Sequence, residues 1–119
     1  MGCNLQLIIK LPWIDCACSP NARSHWTKLH AARARRKRDA FMLASSLPRC
    51  NALRAAVSIV FHPPDRRRYD LDNCLSALKG DLDGIAQRIG IDDHNFSSIT
   101  IQFGEVVKNG SVIVEITPL

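Results

Sequence analysis

The chain has no apolar run long enough to cross a membrane; its longest, Leu5 to Ile14, is broken by Gln6, Lys10 and Pro12. That stretch also lacks a basic start and a small-residue cleavage site, so no secretory signal is expected. Met1-Gly2-Cys3 opens like a myristoylation signal, but Gln6 stands where such a signal needs Ser or Thr. The five cysteines (Cys3, Cys16, Cys18, Cys50, Cys74) are odd in number and have no CxxC spacing, which points to reduced thiols in a cytosol rather than a disulfide framework. Cys16-Ala-Cys18 with Cys50 also falls short of a structural zinc site, whose ligands usually pair about two to four residues apart. There is no internal repeat and no low-complexity run, and Ala22 to Leu47 contains neither Gly nor Pro.

What is present suits one globular domain covering residues 1–119, cytoplasmic and without a membrane partner. At 46% hydrophobic and 23% charged, the 119 residues can bury a core without disulfide staples. The net charge of +5 is unevenly spread. Residues 1–54 carry ten Lys/Arg against two acids, and residues 55–119 carry six against nine. A basic half beside an acidic half suggests one surface for a polyanion and another place where carboxylates gather.

The patterning predicts β-α-β-α-β-β order, an α+β fold with a mixed sheet and two helices. Leu5 to Leu11 alternates as a strand that Pro12 ends, and a turn-rich loop through Pro20-Asn21 follows. A long basic helix is expected over 22–47, with Leu29, Ala32, Ala40, Leu43 and Leu47 on one stripe that Arg36 alone interrupts. Ala55 to Phe61 reads as a second strand. A second helix over 72–89 is marked by Leu71, Leu75, Leu78, Leu82, Ile85 and Ile89, with Asp72 or Asn73 as N-cap and Gly90 past its end. Gly80 weakens that helix by about 1 kcal/mol relative to Ala. The tail, 98–107 and 112–117 around Asn109-Gly110, reads as a β-hairpin.

The stretch Asp65-Arg66-Arg67-Arg68-Tyr69-Asp70-Leu71-Asp72-Asn73 is the richest in chemistry. In extended chain, Asp70 and Asp72 face the same way, and two carboxylates plus waters and phosphate oxygens suit Mg²⁺. The arginines' planar forks suit phosphate, and the start of the second helix adds backbone N–H groups at the same place. Beyond that helix, Gly90-Ile91-Asp92-Asp93-His94 supplies two more carboxylates. A helix of this length is roughly 27 Å long, so its two ends cannot share a metal unless the chain returns or a second subunit contributes.

The run Pro64-Asp65-Arg66-Arg67-Arg68-Tyr69-Asp70-Leu71-Asp72-Asn73, the leucine-rich helix and Ile91-Asp92-Asp93 resemble the RusA family of Holliday junction resolvases. Leu11-Pro12-Trp13, the Pro20-Asn21 loop and the basic helix fit the same pattern more loosely. The resemblance implies a homodimeric, Mg²⁺-dependent endonuclease of phage or prophage type, with Mn²⁺ as a substitute metal, that cuts four-way DNA junctions symmetrically in recombination and repair. It implies Asp70, Asp72 and Asp93 as catalytic metal ligands, with Asp92 as neighbour. Ser76 stands where the family has a lysine. Lys79, one turn further, is the candidate replacement in catalysis, and a slow or inactive copy is the alternative. Arg66, Arg67, Arg68, Arg35, Arg36, Lys37 and Arg38 are the expected contacts to DNA.

Plainer readings stand beside these. The arginines can form surface ion pairs with Asp65, Asp70 and Asp72, Asp72 can simply cap its helix, and Asp92-Asp93 is ordinary turn composition. A DNA-binding module without catalysis would keep the basic surface and dispense with the carboxylates. An EF-hand reading fails for want of the later Gly and Glu.

Overall fold

The computed structural model describes residues 6–15, 26–50 and 52–119; the side chains of Trp26 and Asp93 lie outside the described residues. So do Cys3, Cys16, Cys18 and the Pro20-Asn21 loop. The elements run β1 (Leu7–Pro12), α1 (Trp26–Leu43), β2 (Ala55–His62), α2 (Leu71–Ile89), β3 (Phe96–Phe103) and β4 (Ser111–Pro118). Single 3-10 turns follow α1 (Ala44–Ser46) and precede β3 (Asp93–Asn95).

The four strands form one mixed sheet in the order β1-β4-β2-β3. β4 is antiparallel to both β1 and β2, while β3 runs parallel to β2. Parallel strands need a crossover, and α2 supplies it by carrying the chain from β2 to β3, while α1 links β1 to β2. Alternation sets the core. Leu7, Ile9 and Leu11, then Val112, Val114 and Ile116, then Val57, Ile59 and Phe61 are buried on one face, where they meet Leu78, Ile85 and Ile89 of α2.

The expected hairpin does not form. Asn109 and Gly110 make a tight turn with φ of 65° and 69°, but β3 and β4 flank β2 on opposite sides. The segment between them crosses the end of β2, where Gly104 N–H donates to Phe61 C=O (2.9 Å) and Val107 N–H to Pro63 C=O (3.0 Å). The Asn-Gly signal is local and fixes only the reversal, whereas burial of Val112, Val114 and Ile116 fixes where β4 goes.

The stripe on α1 also differs from expectation. Ala32, Arg36, Ala40 and Ala44 are buried, while Leu43 is exposed. Small residues line the seam because α1 and α2 run close together: a Cβ on Gly80 would sit 2.9 Å from the Arg33 carbonyl oxygen, and one on Gly84 would collide with that of Lys37. Gly80 and Gly84 are thus required by packing, which outweighs their low helix propensity. Between them Asp81, 1% exposed, takes the fork of Arg36: Nε donates to Oδ1 (2.9 Å), and a second guanidinium nitrogen lies 2.8 Å from Oδ2. Arg36 also donates to the Trp13 and Pro12 carbonyls (2.9 and 3.1 Å), tying α1 and α2 to the end of β1. No described helix is long and apolar enough to cross a membrane.

Candidate functional site

The loop from β2 to α2 is built on aromatic contacts. Buried Pro63 ends β2, and Trp13 stands edge-on to both Phe61 (6.3 Å) and Tyr69 (5.3 Å). Asp65 organises the loop from within: Oδ1 accepts from the Arg67 N–H and the Tyr69 hydroxyl, each at 3.0 Å, and Oδ2 pairs with the Arg67 guanidinium at 3.0 Å. The Arg67 N–H foremost, together with Tyr69 and the guanidinium, holds the Asp65 carboxyl below its usual range. Burial and Asp65 push the Tyr69 hydroxyl up. Arg67 is therefore partly occupied by its own loop, as the ion-pair reading anticipated, whereas exposed Arg66 and Arg68 have no such partner among the described residues.

α2 begins at Leu71 and its N-cap is Asp70, slightly earlier than the expected Asp72 or Asn73. Asp70 Oδ1 accepts from the Asp72 N–H (2.9 Å) and more weakly from the Asn73 N–H (3.4 Å). Capping thus accounts for one oxygen of Asp70. Oδ2 and the exposed Asp72 carboxylate carry no hydrogen bond or ion pair among the described residues. A concavity of about 300 Å³ lies here, lined by Trp13, Arg68, Tyr69, Asp70, Asn73 and Cys74. Burial, then the charge of Asp70, pushes the Cys74 thiol up to about 11, so it stays protonated.

The remaining expected residues lie elsewhere. Asp92 is at the far end of α2, where its Oδ1 accepts from the His94 N–H (3.0 Å) in the turn that leads into β3. The backbone of Asp93 is in the same turn. Because β3 starts beside the start of β2, the chain does not return toward Asp70. The 19-residue α2 separates the two pairs of acids by about 28 Å. Among the described residues no three His, Cys, Asp or Glu side chains gather to hold a metal ion. Lys79 is exposed about 10 Å along α2 from Asp72, in a groove with Leu82, Asp83, Phe96 and Ile99.

On α1, Arg36 is a correction: buried at 9% exposure and fully engaged with Asp81 and two carbonyls, it is not available to DNA. Arg35 and Arg38 are exposed, 3.9 Å from Asp15 and Asp39 respectively. Exposed Lys37 lines a hollow with Asp83, Gln87 and Asp92, toward the far end of α2.

The hard oxygen donors of Asp70 and Asp72 fit a largely hydrated Mg²⁺, which is commonly held by one or two carboxylates plus water and phosphate oxygens. Among the described residues no third carboxylate joins them within one chain. Sequence reading gave Asp65 only as an ion-pair partner of the arginines and passed over its hydrogen bond from Tyr69, since an i, i+4 pairing in a loop has no periodic signal.

The chain matches no protein-family model. It is 38% identical over 116 residues to an uncharacterized protein of Xylella fastidiosa (strain Temecula1), a match that covers 92% of this chain and 74% of that protein.

Proposed function

We propose that this chain, which belongs to the same family as the Xylella fastidiosa protein, is a Mg²⁺-dependent endonuclease of RusA type that resolves four-way DNA junctions as a homodimer. The observation that carries the reading is the convergence at one helix start of Arg68, Asp70 and Asp72, with backbone N–H groups and two further arginines beside them. A phosphate grip and a cation grip in contact are what phosphodiester hydrolysis needs.

The residues divide the work. Arg66 and Arg68 would hold phosphates flanking the cut, giving affinity that falls with salt. Asp70 Oδ2 and Asp72 would hold Mg²⁺, which when bound supplies positive charge at the phosphate and a more acidic water. The Asp70 cap and the Asp65-Arg67-Tyr69 network keep these groups from wandering, so little reorganisation is needed when DNA arrives. Junction selectivity would come from shape and charge geometry. The setting would be the cytoplasm of a bacterial or phage-infected cell.

The test is cleavage of a synthetic four-way junction against a linear duplex of matched sequence, with Mg²⁺, with Mn²⁺ and with chelator. Paired, metal-dependent nicks on the junction alone are expected. The second reading, a junction-binding protein without cleavage, draws on Ser76 in the usual lysine position and on the distance of Lys79 from Asp72. Tight junction binding without nicks would establish it, and gain of nicking in Ser76→Lys would identify the missing charge.

A further inference from the structure

A buried ion pair is a weak source of stability, because desolvation offsets the attraction, and apolar side chains of similar outline often hold a fold as well. What the Arg36–Asp81 pair does that apolar residues cannot is aim N–H groups. Asp81 accepts from Nε at 2.9 Å and takes the adjacent terminal nitrogen at 2.8 Å, a two-point grip that fixes the plane of the guanidinium. Both terminal nitrogens then reach out of the seam, one to the Trp13 carbonyl (2.9 Å) and one to that of Pro12 (3.1 Å). The seam itself is held in register, since the Arg33 and Lys37 carbonyls rest directly on Gly80 and Gly84.

The fork arrives at the point where β1 gives out. The β1–β4 ladder stops at the Pro12–Ser111 pair, so Trp13 is the first residue beyond it, and Arg36 supplies the hydrogen bond there. Trp13 is also where the parts of the candidate site meet. Its ring stands edge-on to Phe61 and Tyr69. A Cβ on Gly110 would fall 2.9 Å from its Cβ and Cγ, so the turn before β4 closes on it from another side. Tyr69 in turn donates to Asp65, which grips Arg67, and Trp13, Arg68, Tyr69 and Asp70 line one concavity.

We propose that Arg36, aimed by Asp81, is a positioning residue for that concavity: it fixes Trp13 and, through Trp13, the Tyr69 wall and the arginine loop beside Asp70. The tether stands on the hydrogen bonds and ring contacts alone; its consequence for cleavage rests on the nuclease reading above.

The pair can be removed without stranding a charge. Leu repeats the branched outline of Asp and Met the stem of Arg, so the double variant Arg36→Met, Asp81→Leu should keep its circular dichroism and its cooperative unfolding. Arg36→Lys is the milder cut, because one ammonium keeps a charge for Asp81 but lacks the planar fork that spans to both carbonyls. Two reporters read the wall with no DNA present. In a Trp26→Phe background all tryptophan emission comes from Trp13, and Tyr69 is the only tyrosine of the chain. In both variants Trp13 emission should move to the red and quench more readily with acrylamide. Tyr69, followed by its absorbance after a rapid pH jump, should ionise at lower pH than in wild type, as water reaches a hydroxyl whose ionisation burial opposes. Reporters unchanged in a folded variant overturn the tether, and so does loss of the fold in both variants, which would make the pair a prop of the core.

Junction nicking with Mg²⁺ then tests the consequence. The variants should keep the wild-type KM while kcat falls by up to about 100-fold, the loss that a misplacement of about 1 Å causes. Reporters that move while nicking continues at the wild-type rate overturn the role in the site. A wild type that does not nick overturns the nuclease reading instead, and the reporters still decide the tether.

Discussion

Asp70 caps α2 and is the proposed metal ligand, two roles that a single substitution can separate. As N-cap it accepts from Asp72 and Asn73 through Oδ1, and asparagine caps about as well as aspartate, so Asp70→Asn should change stability by less than about 0.5 kcal/mol. The same change removes a charged ligand and should abolish metal-dependent nicking while junction binding is kept or tightened. Thermal melts beside junction cleavage check both, and wild-type turnover in Asp70→Asn would end the metal-site reading. Asp81 and Arg36 pose a different balance. Burial raises the Asp81 carboxyl to about 6 against the pull of Arg36, so the folded state binds this proton more tightly than the unfolded chain does. Its contribution is therefore fullest in acid and is lost as pH rises through about 6. Arg36→Met strands the carboxylate and should cost about 3–5 kcal/mol at pH 7.5. At pH 5 the neutral acid needs no counter-charge and the cost should shrink, as urea unfolding at the two pH values will report.

At the scale of elements, the α1–α2 seam rests on absent side chains. Gly84→Ala would gain about 1 kcal/mol of helix propensity in an isolated helix. Here the new methyl meets the Lys37 carbonyl oxygen, so a net loss of about 1–3 kcal/mol in denaturant unfolding is expected. The limits of sequence reading show at this same seam. Strong alternation in Val57-Ile59-Phe61 and the leucine spacing of α2 put those elements within a residue or two of where they lie. The partner of Asp81 was not legible, because forty-five positions separate it from Arg36, and a charged residue on an otherwise apolar stripe gives no hint of what it meets. Asp70 and Asp72 were legible as neighbours since their proximity is covalent. That the chain does not return from Asp92 toward Asp70 follows from the parallel pairing of β3 with β2, which no local pattern encodes.

Over the whole molecule, two groups of exposed positive charge among the described residues border hollows in the surface. Arg66 and Arg68 flank the Asp70 concavity, while Lys37 and Arg38 lie on α1 near Gln87. Replacing Arg66 and Arg68 by Ala should flatten the salt dependence of junction binding by about 0.9 log unit for each phosphate no longer neutralised. The triple variant Arg35→Ala, Lys37→Ala, Arg38→Ala, with Arg36 left in place, asks the same of α1, and an unchanged slope would make that helix a bystander.

The position of β4 has a consequence for how the molecule comes into being. It follows every other described strand in chain order, yet it sits between β1 and β2, and among the described residues β1 pairs with no other strand. Until those eight residues have left the ribosome, β1 has nowhere to dock and the inner faces of β1 and β2 stay wet. Synthesis therefore runs through Pro118 before a sheet can close, and the ladder that closes it joins positions about a hundred residues apart, a slow kind of pairing to make. Loss of Ser111–Pro118 would accordingly cut the sheet in its middle rather than trim its edge, detaching β1 and leaving only the β2–β3 pair for the helices to cover.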